Sequence, residues 1–134
     1  MDNSELISAA RDVRRQAYAP YSQFAVGAAL LTASGEIFVG CNVENVSFGL
    51  TICAERAAIG CAIANGQTDF AAIAVVTDSA SPALPCGACR QVLSEFTPTV
   101  KIIAATLAGD AQEFSLQELL PRNDQGLPKH RRNV

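Results

Sequence analysis

The sequence predicts an α/β fold in which a mixed sheet of five strands lies between helical layers. Three observations carry that expectation. Segments with apolar residues at helical spacing alternate with short runs rich in Val, Ile and Ala. Two of those runs are separated by little more than a Ser34-Gly35 turn, the mark of a hairpin. The chain of 134 residues is 49% hydrophobic and only 17% charged, which is ample to bury a core in the size range of one domain.

Residues 4–18 place Leu6, Ile7, Ala10, Val13 and Ala17 at helical spacing, with Ser4 positioned as a cap and Pro20 closing the segment. Residues 24–32 are apolar at both parities, as in a strand covered on both faces. After the turn, residues 36–41 form its hairpin partner, and 42–51 read as a loop. Residues 52–64 are Ala-rich and apolar nearly all round except for Glu55 and Arg56, so this helix is expected at the centre or at a subunit contact, with Gly66 stopping it. A strand over 70–77, a loop over 79–85, a helix over 87–96 and a strand over 100–106 follow. A short edge strand at 112–114 and a helical turn at 115–120 complete the pattern. Strands joined through helices call for right-handed parallel crossovers, whereas the first hairpin is antiparallel, so the sheet is mixed. The tail over 122–134 has no periodicity and is expected to be an irregular extension of a domain spanning 1–121.

Composition narrows the function classes. A net charge of −3 and a pI near 5.0 lack the basic stripe expected of a nucleic-acid-binding chain, although Lys129, Arg131 and Arg132 cluster in the tail. A small-molecule partner fits better. The positive mean hydropathy of +0.20 and the scarcity of polar helix faces point to apolar surface covered by further copies of the chain. The acidic start, with Asp2, Glu5 and Asp12, resembles no secretory leader, and no apolar run approaches membrane-spanning length, so a cytoplasmic protein is expected. Five cysteines in a reducing compartment are better read as ligands or small packing residues than as a disulfide framework, with Cys41 and Cys61 expected to be buried.

The remaining cysteines carry the chemistry. Cys86 and Cys89, three apart at the opening of a helix, put both sulfurs over one turn. Cys53 and Glu55 lie in the first turn of another helix, where side chains tilt back toward the N-terminal end and can reach a metal ahead of it. Helix N-termini favour thiolates. Zinc held by three thiolates keeps a fourth position for water, and a nearby carboxylate that is not a ligand can move protons. That set is Cys53, Cys86, Cys89 and Glu55. Such a centre carries excess negative charge, which a guanidinium can offset by hydrogen-bonding a ligand sulfur. Arg56 and Arg90 are both adjacent in sequence, and Arg56 is assigned the role by its place in the first helical turn. On spacing alone a redox pair, a structural zinc clamp and an ordinary surface Glu55 all remain open.

A wider match sharpens the reading. The segments YAPYSQFAVG (18–27), GCNVEN (40–45), LTICAER (50–56), PCGACRQV (85–92) and ELLP (118–121) resemble, in order and spacing, the small cytidine deaminases. The Pro before the paired cysteines and the Glu two after the first ligand are shared with zinc nucleobase deaminases generally. The resemblance covers about residues 5–121 and implies a three-layer α/β/α sandwich, a homotetramer with active sites at subunit boundaries, and hydrolytic deamination of cytidine and deoxycytidine. It also implies that Cys53, Cys86 and Cys89 bind Zn2+, that Glu55 shuttles protons, and that Asn42 and Glu44 hold the ribose hydroxyls. Phe24 would pack beside the sugar, the backbone of Ala54 would donate to the pyrimidine carbonyl, and Phe48 would stand where many relatives have Tyr. The chain departs from the pattern after Pro121: Arg122, Asn123 and Asp124 occupy the stretch where relatives have small residues and a stacking Phe. That difference raises a second expectation, a deaminase of a modified cytosine nucleoside such as blasticidin S; a non-catalytic protein with structural zinc is the third.

Overall fold

The structure is a computed structural model that describes residues 3–124. Its elements in chain order are helix α1 (Asn3–Arg14), strands β1 (Val26–Thr32) and β2 (Ile37–Cys41), a 3-10 turn (Phe48–Leu50), α2 (Ala54–Ala64), β3 (Phe70–Thr77), α3 (Gly87–Phe96), β4 (Lys101–Thr106), β5 (Ala111–Ser115) and α4 (Leu116–Leu119). The five strands form one sheet in the order β2-β1-β3-β4-β5. β1 is antiparallel to both its neighbours, β3 and β4 are parallel, and β5 returns antiparallel. The mixed sheet is therefore as expected, with β1 inserted between β2 and β3.

Strand parity divides the apolar residues into two cores. Ala28, Leu30, Ile73 and Ile102 face Ala54, Ala58, Ile59 and Ala62 of α2 and Leu93 of α3. Ala29, Ala72, Ala74, Val76, Ile103 and Ala105 face Leu6 and Ala10 of α1. The result is the three-layer sandwich, with a sheet buried on both faces because its strands are apolar at both parities. Two glycines set the layer spacing. A Cβ at Gly27 would lie 2.9 Å from Arg14 Cβ in α1, and one at Gly40 would lie 2.6 Å from the Ala54 carbonyl oxygen in α2. A helix backbone rests against the sheet at each, on opposite faces.

Several boundaries differ from the expected ones for identifiable reasons. α1 stops at Arg14 rather than at residue 18, because Tyr18 leaves the helix to pair with Val43, donating its N–H to the Asn42 carbonyl at 2.9 Å. Ser4 is inside α1, not its cap. β1 begins at Val26, two residues later than expected, since Gln23 takes a left-handed φ of 61° and Phe24 is exposed. The stretch 42–51 is more ordered than a loop, with Val43 bridged to Ile52. Cys41 is half-buried and Cys61 exposed, so the expectation that both are buried fails: Cys61 falls on the outer face of α2 beside Gly60. Among the described residues no helix is long and apolar enough to cross a membrane. The basic cluster Lys129, Arg131 and Arg132, like most of the 122–134 extension, lies outside the described residues.

Candidate active site

The topology brings several element ends to one place. Val26 at the start of β1 pairs with Thr77 at the end of β3, and Gly27 pairs with Cys41 at the end of β2. Carboxyl ends of strands feeding helices are where α/β sheets open a crevice. A cavity of about 260 Å³ lies here, lined by residues that include Ser22, Phe24, Asn42, Glu44, Cys53, Ala54, Glu55, Thr77 and Cys86.

Cys53 and Cys86 are the N-caps of α2 and α3, and neither thiol is spent on capping its helix. Cys89 follows in the first turn of α3 and is fully buried. The Cys53 and Cys86 sulfurs are 3.8 Å apart, those of Cys86 and Cys89 3.5 Å, and all three lie within 4.8 Å of one another. Tetrahedral zinc with Zn–S bonds of about 2.3 Å requires sulfur separations of about 3.8 Å, so the donor set fits that ion with little movement. The thiols also need a cation. Burial and the negative charge of Glu55 push the Cys89 thiol well above its ordinary pKa. Burial raises that of Cys86 too, but the backbone amides of Cys89 and Ala88 and the neighbouring thiols outweigh it, and the net direction is down. Three adjacent thiolates coexist only around positive charge.

Glu55, in the first turn of α2, is 5% exposed and lines the cavity beside Cys53 and Cys86. Desolvation raises its carboxyl pKa above the ordinary value, against the pull of its own backbone N–H and of Arg56. Arg56 Nη2 donates to Cys53 Sγ at 3.4 Å, and this bond strengthens the hold of the guanidinium on its proton. Arg90, the other candidate, is engaged elsewhere: its Nε donates to the Pro85 carbonyl at 2.8 Å and its Nη1 to the Leu119 carbonyl at 2.9 Å. It ties the end of α4 to the residue preceding Cys86.

The second group of expected residues divides. Asn42 is buried, its Oδ1 accepting from Val26 N and its Nδ2 donating to the Phe24 carbonyl, both at 2.8 Å. Glu44 is held by the backbone amides of Tyr21 and Ser22 and by the Ser22 hydroxyl. Phe24, 40% exposed, stands at the cavity wall and not in the core. Ala54 is the first residue of α2, where amides lack intrahelical partners. Phe48 does not line the cavity of its own chain; it is 74% exposed and packs edge-on against Tyr21 at 6.1 Å. After Pro121, Asn123 Nδ2 donates to the Pro98 carbonyl at 3.0 Å, so this stretch turns toward the loop beyond α3. Thr77, Val75, Ser22 and Thr51 line the cavity without having been singled out from sequence. Thr77 had a readable signal, its place at the carboxyl end of a strand leading into a helix.

Residues 1–106 match the family described as the cytidine and deoxycytidylate deaminase zinc-binding region. The chain belongs to this family. It is 51% identical over 122 residues to a cytidine deaminase of Halalkalibacterium halodurans, covering 90% of this chain and 92% of the relative. The 1.6 Å crystal structure of cytidine deaminase from Burkholderia pseudomallei superposes with a TM-score of 0.88 at 50% identity, covering 91% of this chain and 98% of that one. A blasticidin-S deaminase of Bacillus cereus is 35% identical over 104 residues, or 72% of this chain and 74% of the relative. The family's zinc-binding region includes all three cysteines that converge here.

Proposed function

We propose that this protein catalyses the hydrolytic deamination of cytidine and deoxycytidine to uridine and deoxyuridine, as an enzyme of pyrimidine salvage. The observation that carries the reading is the convergence of the Cys53, Cys86 and Cys89 sulfurs within 4.8 Å at the mouths of two helices, with buried Glu55 sharing their cavity. Zinc bound by these thiols supplies a Lewis acid that acidifies water near neutral pH. Glu55 takes a proton from the attacking water and passes it to the ring nitrogen of the base. A C–O bond forms, the C–N bond to the exocyclic amine breaks, and a second proton carried by Glu55 lets the amine leave as ammonia. Arg56 draws charge from Cys53 through its hydrogen bond.

Asn42 and Glu44 are assigned the sugar hydroxyls, Phe24 the sugar face, and the Ala54 amide the pyrimidine carbonyl. Among the described residues the cavity lining holds two carboxylates, Glu44 and Glu55, and no Lys, Arg or His, which favours an uncharged nucleoside over a phosphorylated one. We assign the folded unit to 1–121, place the protein in the cytoplasm and propose a homotetramer with active sites at subunit boundaries. Exposed Val46, Phe48 and Leu50, at 76%, 74% and 67%, support the assembly, and Phe48 would meet substrate only in a neighbouring copy. The stretch after Pro121 and the likeness to a blasticidin-S deaminase favour a second reading, a modified cytosine nucleoside as substrate. Ammonia release is measured from cytidine, deoxycytidine, cytosine, adenosine, guanosine and blasticidin S. Turnover of the first two supports the proposal, preference for blasticidin S favours the second reading, and turnover of none overturns both.

A further inference from the structure

The turn over residues 21–24, which brings Ser22 and Phe24 to the cavity wall, is bound to Glu44 through three hydrogen bonds. Glu44 Oε1 accepts the backbone N–H of Tyr21 at 3.0 Å and of Ser22 at 3.1 Å, while Oε2 accepts the Ser22 hydroxyl. The same Ser22 oxygen accepts the N–H of Phe24 at 3.0 Å. Gln23 makes this geometry possible. Its left-handed φ of 61°, a region that side chains disfavour, folds the Phe24 amide back over Ser22. The turn is secured by Gln23 N donating to the Ala19 carbonyl at 3.1 Å and Gln23 Nε2 to that of Pro20 at 3.2 Å.

A carboxylate presents about four acceptor positions. Three are filled at Glu44, both on Oε1 and one on Oε2. Among the described residues no group fills the remaining acceptor, on the oxygen whose orientation the Ser22 hydroxyl sets. The Ser22 bond is also the largest influence holding the Glu44 pKa below its ordinary value, which keeps that acceptor ionised at neutral pH.

We propose that Ser22 is a positioning residue for nucleoside recognition: its hydroxyl fixes the Glu44 carboxylate and the Phe24 backbone together, so that the one open acceptor of Glu44 takes a sugar hydroxyl. The inference rests on the reading of Glu44 as a sugar-binding residue. The Phe24 main chain is also held by Asn42 and by the turn at Gln23, so the contribution of Ser22 falls chiefly, through Glu44, on substrates that have the hydroxyl.

The test compares cytidine with 2′,3′-dideoxycytidine in the wild-type enzyme and in Ser22→Ala, Ser22→Thr and Glu44→Gln, with zinc content measured for each. Ser22→Ala is expected to lower kcat/KM for cytidine about tenfold or more, chiefly through KM, and to change that for dideoxycytidine by less than about twofold. Ser22→Thr, which keeps the hydroxyl, restores cytidine turnover. Equal losses for both substrates would reduce Ser22 to a structural role, and no loss would remove it from recognition; either result overturns the inference. If Glu44→Gln narrows the preference for cytidine while Ser22→Ala does not, only the Ser22 inference fails. If the wild-type enzyme and Glu44→Gln discriminate equally, the sugar-binding reading of Glu44 fails and takes the Ser22 inference with it.

Discussion

Replacing Gly40 with Ala tests how the sheet positions the chemistry. The added methyl would lie 2.6 Å from the Ala54 carbonyl oxygen and 2.9 Å from the Ala57 carbonyl carbon, and it would also press on the Ala58 nitrogen. Ordinary contact begins at 3.4 Å, so the N-terminal part of α2 must retreat by at least about 0.8 Å, and backbone cannot swing aside as a side chain can. Overpacking of this kind costs typically 1–3 kcal/mol, and the upper end applies because every obstructing atom is main chain. For a chain of this size that is a fall in Tm of about 10 °C. The retreat also carries Cys53 and Glu55 away from Cys86, and a misplacement approaching 1 Å costs about a hundredfold in rate. Calorimetry, zinc content and ammonia release are measured on the same preparation. A Gly40→Ala protein with unchanged Tm, a full complement of zinc and normal turnover would refute the packing argument.

Other consequences are more direct. Glu55→Gln should retain zinc and lose at least a hundredfold in kcat, checked by metal analysis beside ammonia release. Arg90→Ala leaves the Pro85 and Leu119 carbonyls unpaired and should destabilise the protein by about 1–3 kcal/mol, with faster loss of zinc to a chelator; Arg90→Lys recovers only part, since an ammonium cannot span both oxygens as the guanidinium does. Glu44 has a folded pKa below its unfolded one, so its contribution to stability is complete above the unfolded value and disappears as pH falls through the folded one. The Tm difference between wild type and Glu44→Gln should therefore shrink as the solution is acidified from neutral toward pH 3.

The elements most legible in the sequence were those with sharp punctuation. β3 and α3 begin and end where expected because Asp69, Asp78 and the Pro85-Cys86-Gly87 run bound them locally. The pattern from Ala10 to Ala17 is helical and carries the expected α1 past its end at Arg14, because the pairing of Tyr18 with Val43 that breaks it is made across the fold. The same division holds in the site. Cys53, Cys86, Cys89 and Glu55 were readable because each pair sits in one helical turn, and the spacing itself limits where the side chains reach. Arg56 is preferred to Arg90 by its place in a first helical turn, whereas the Pro85 and Leu119 carbonyls that occupy Arg90 come from outside its helix and are not readable from position. Cavity residues such as Val75 and Thr77 come from a strand whose neighbour, β1, is set by sheet order, and hydrophobic pattern does not encode that order.

Asn42 has a consequence for anyone dissecting this pocket by mutation. Its carboxamide supplies the two main-chain partners that Val26 and Phe24 lack where β1 emerges, acting as a short prosthetic strand. That leaves one hydrogen and one lone pair for a guest molecule. Truncating it would unstitch the rim together with the sugar contact proposed for it, so lost affinity at this position would measure architecture and recognition added together.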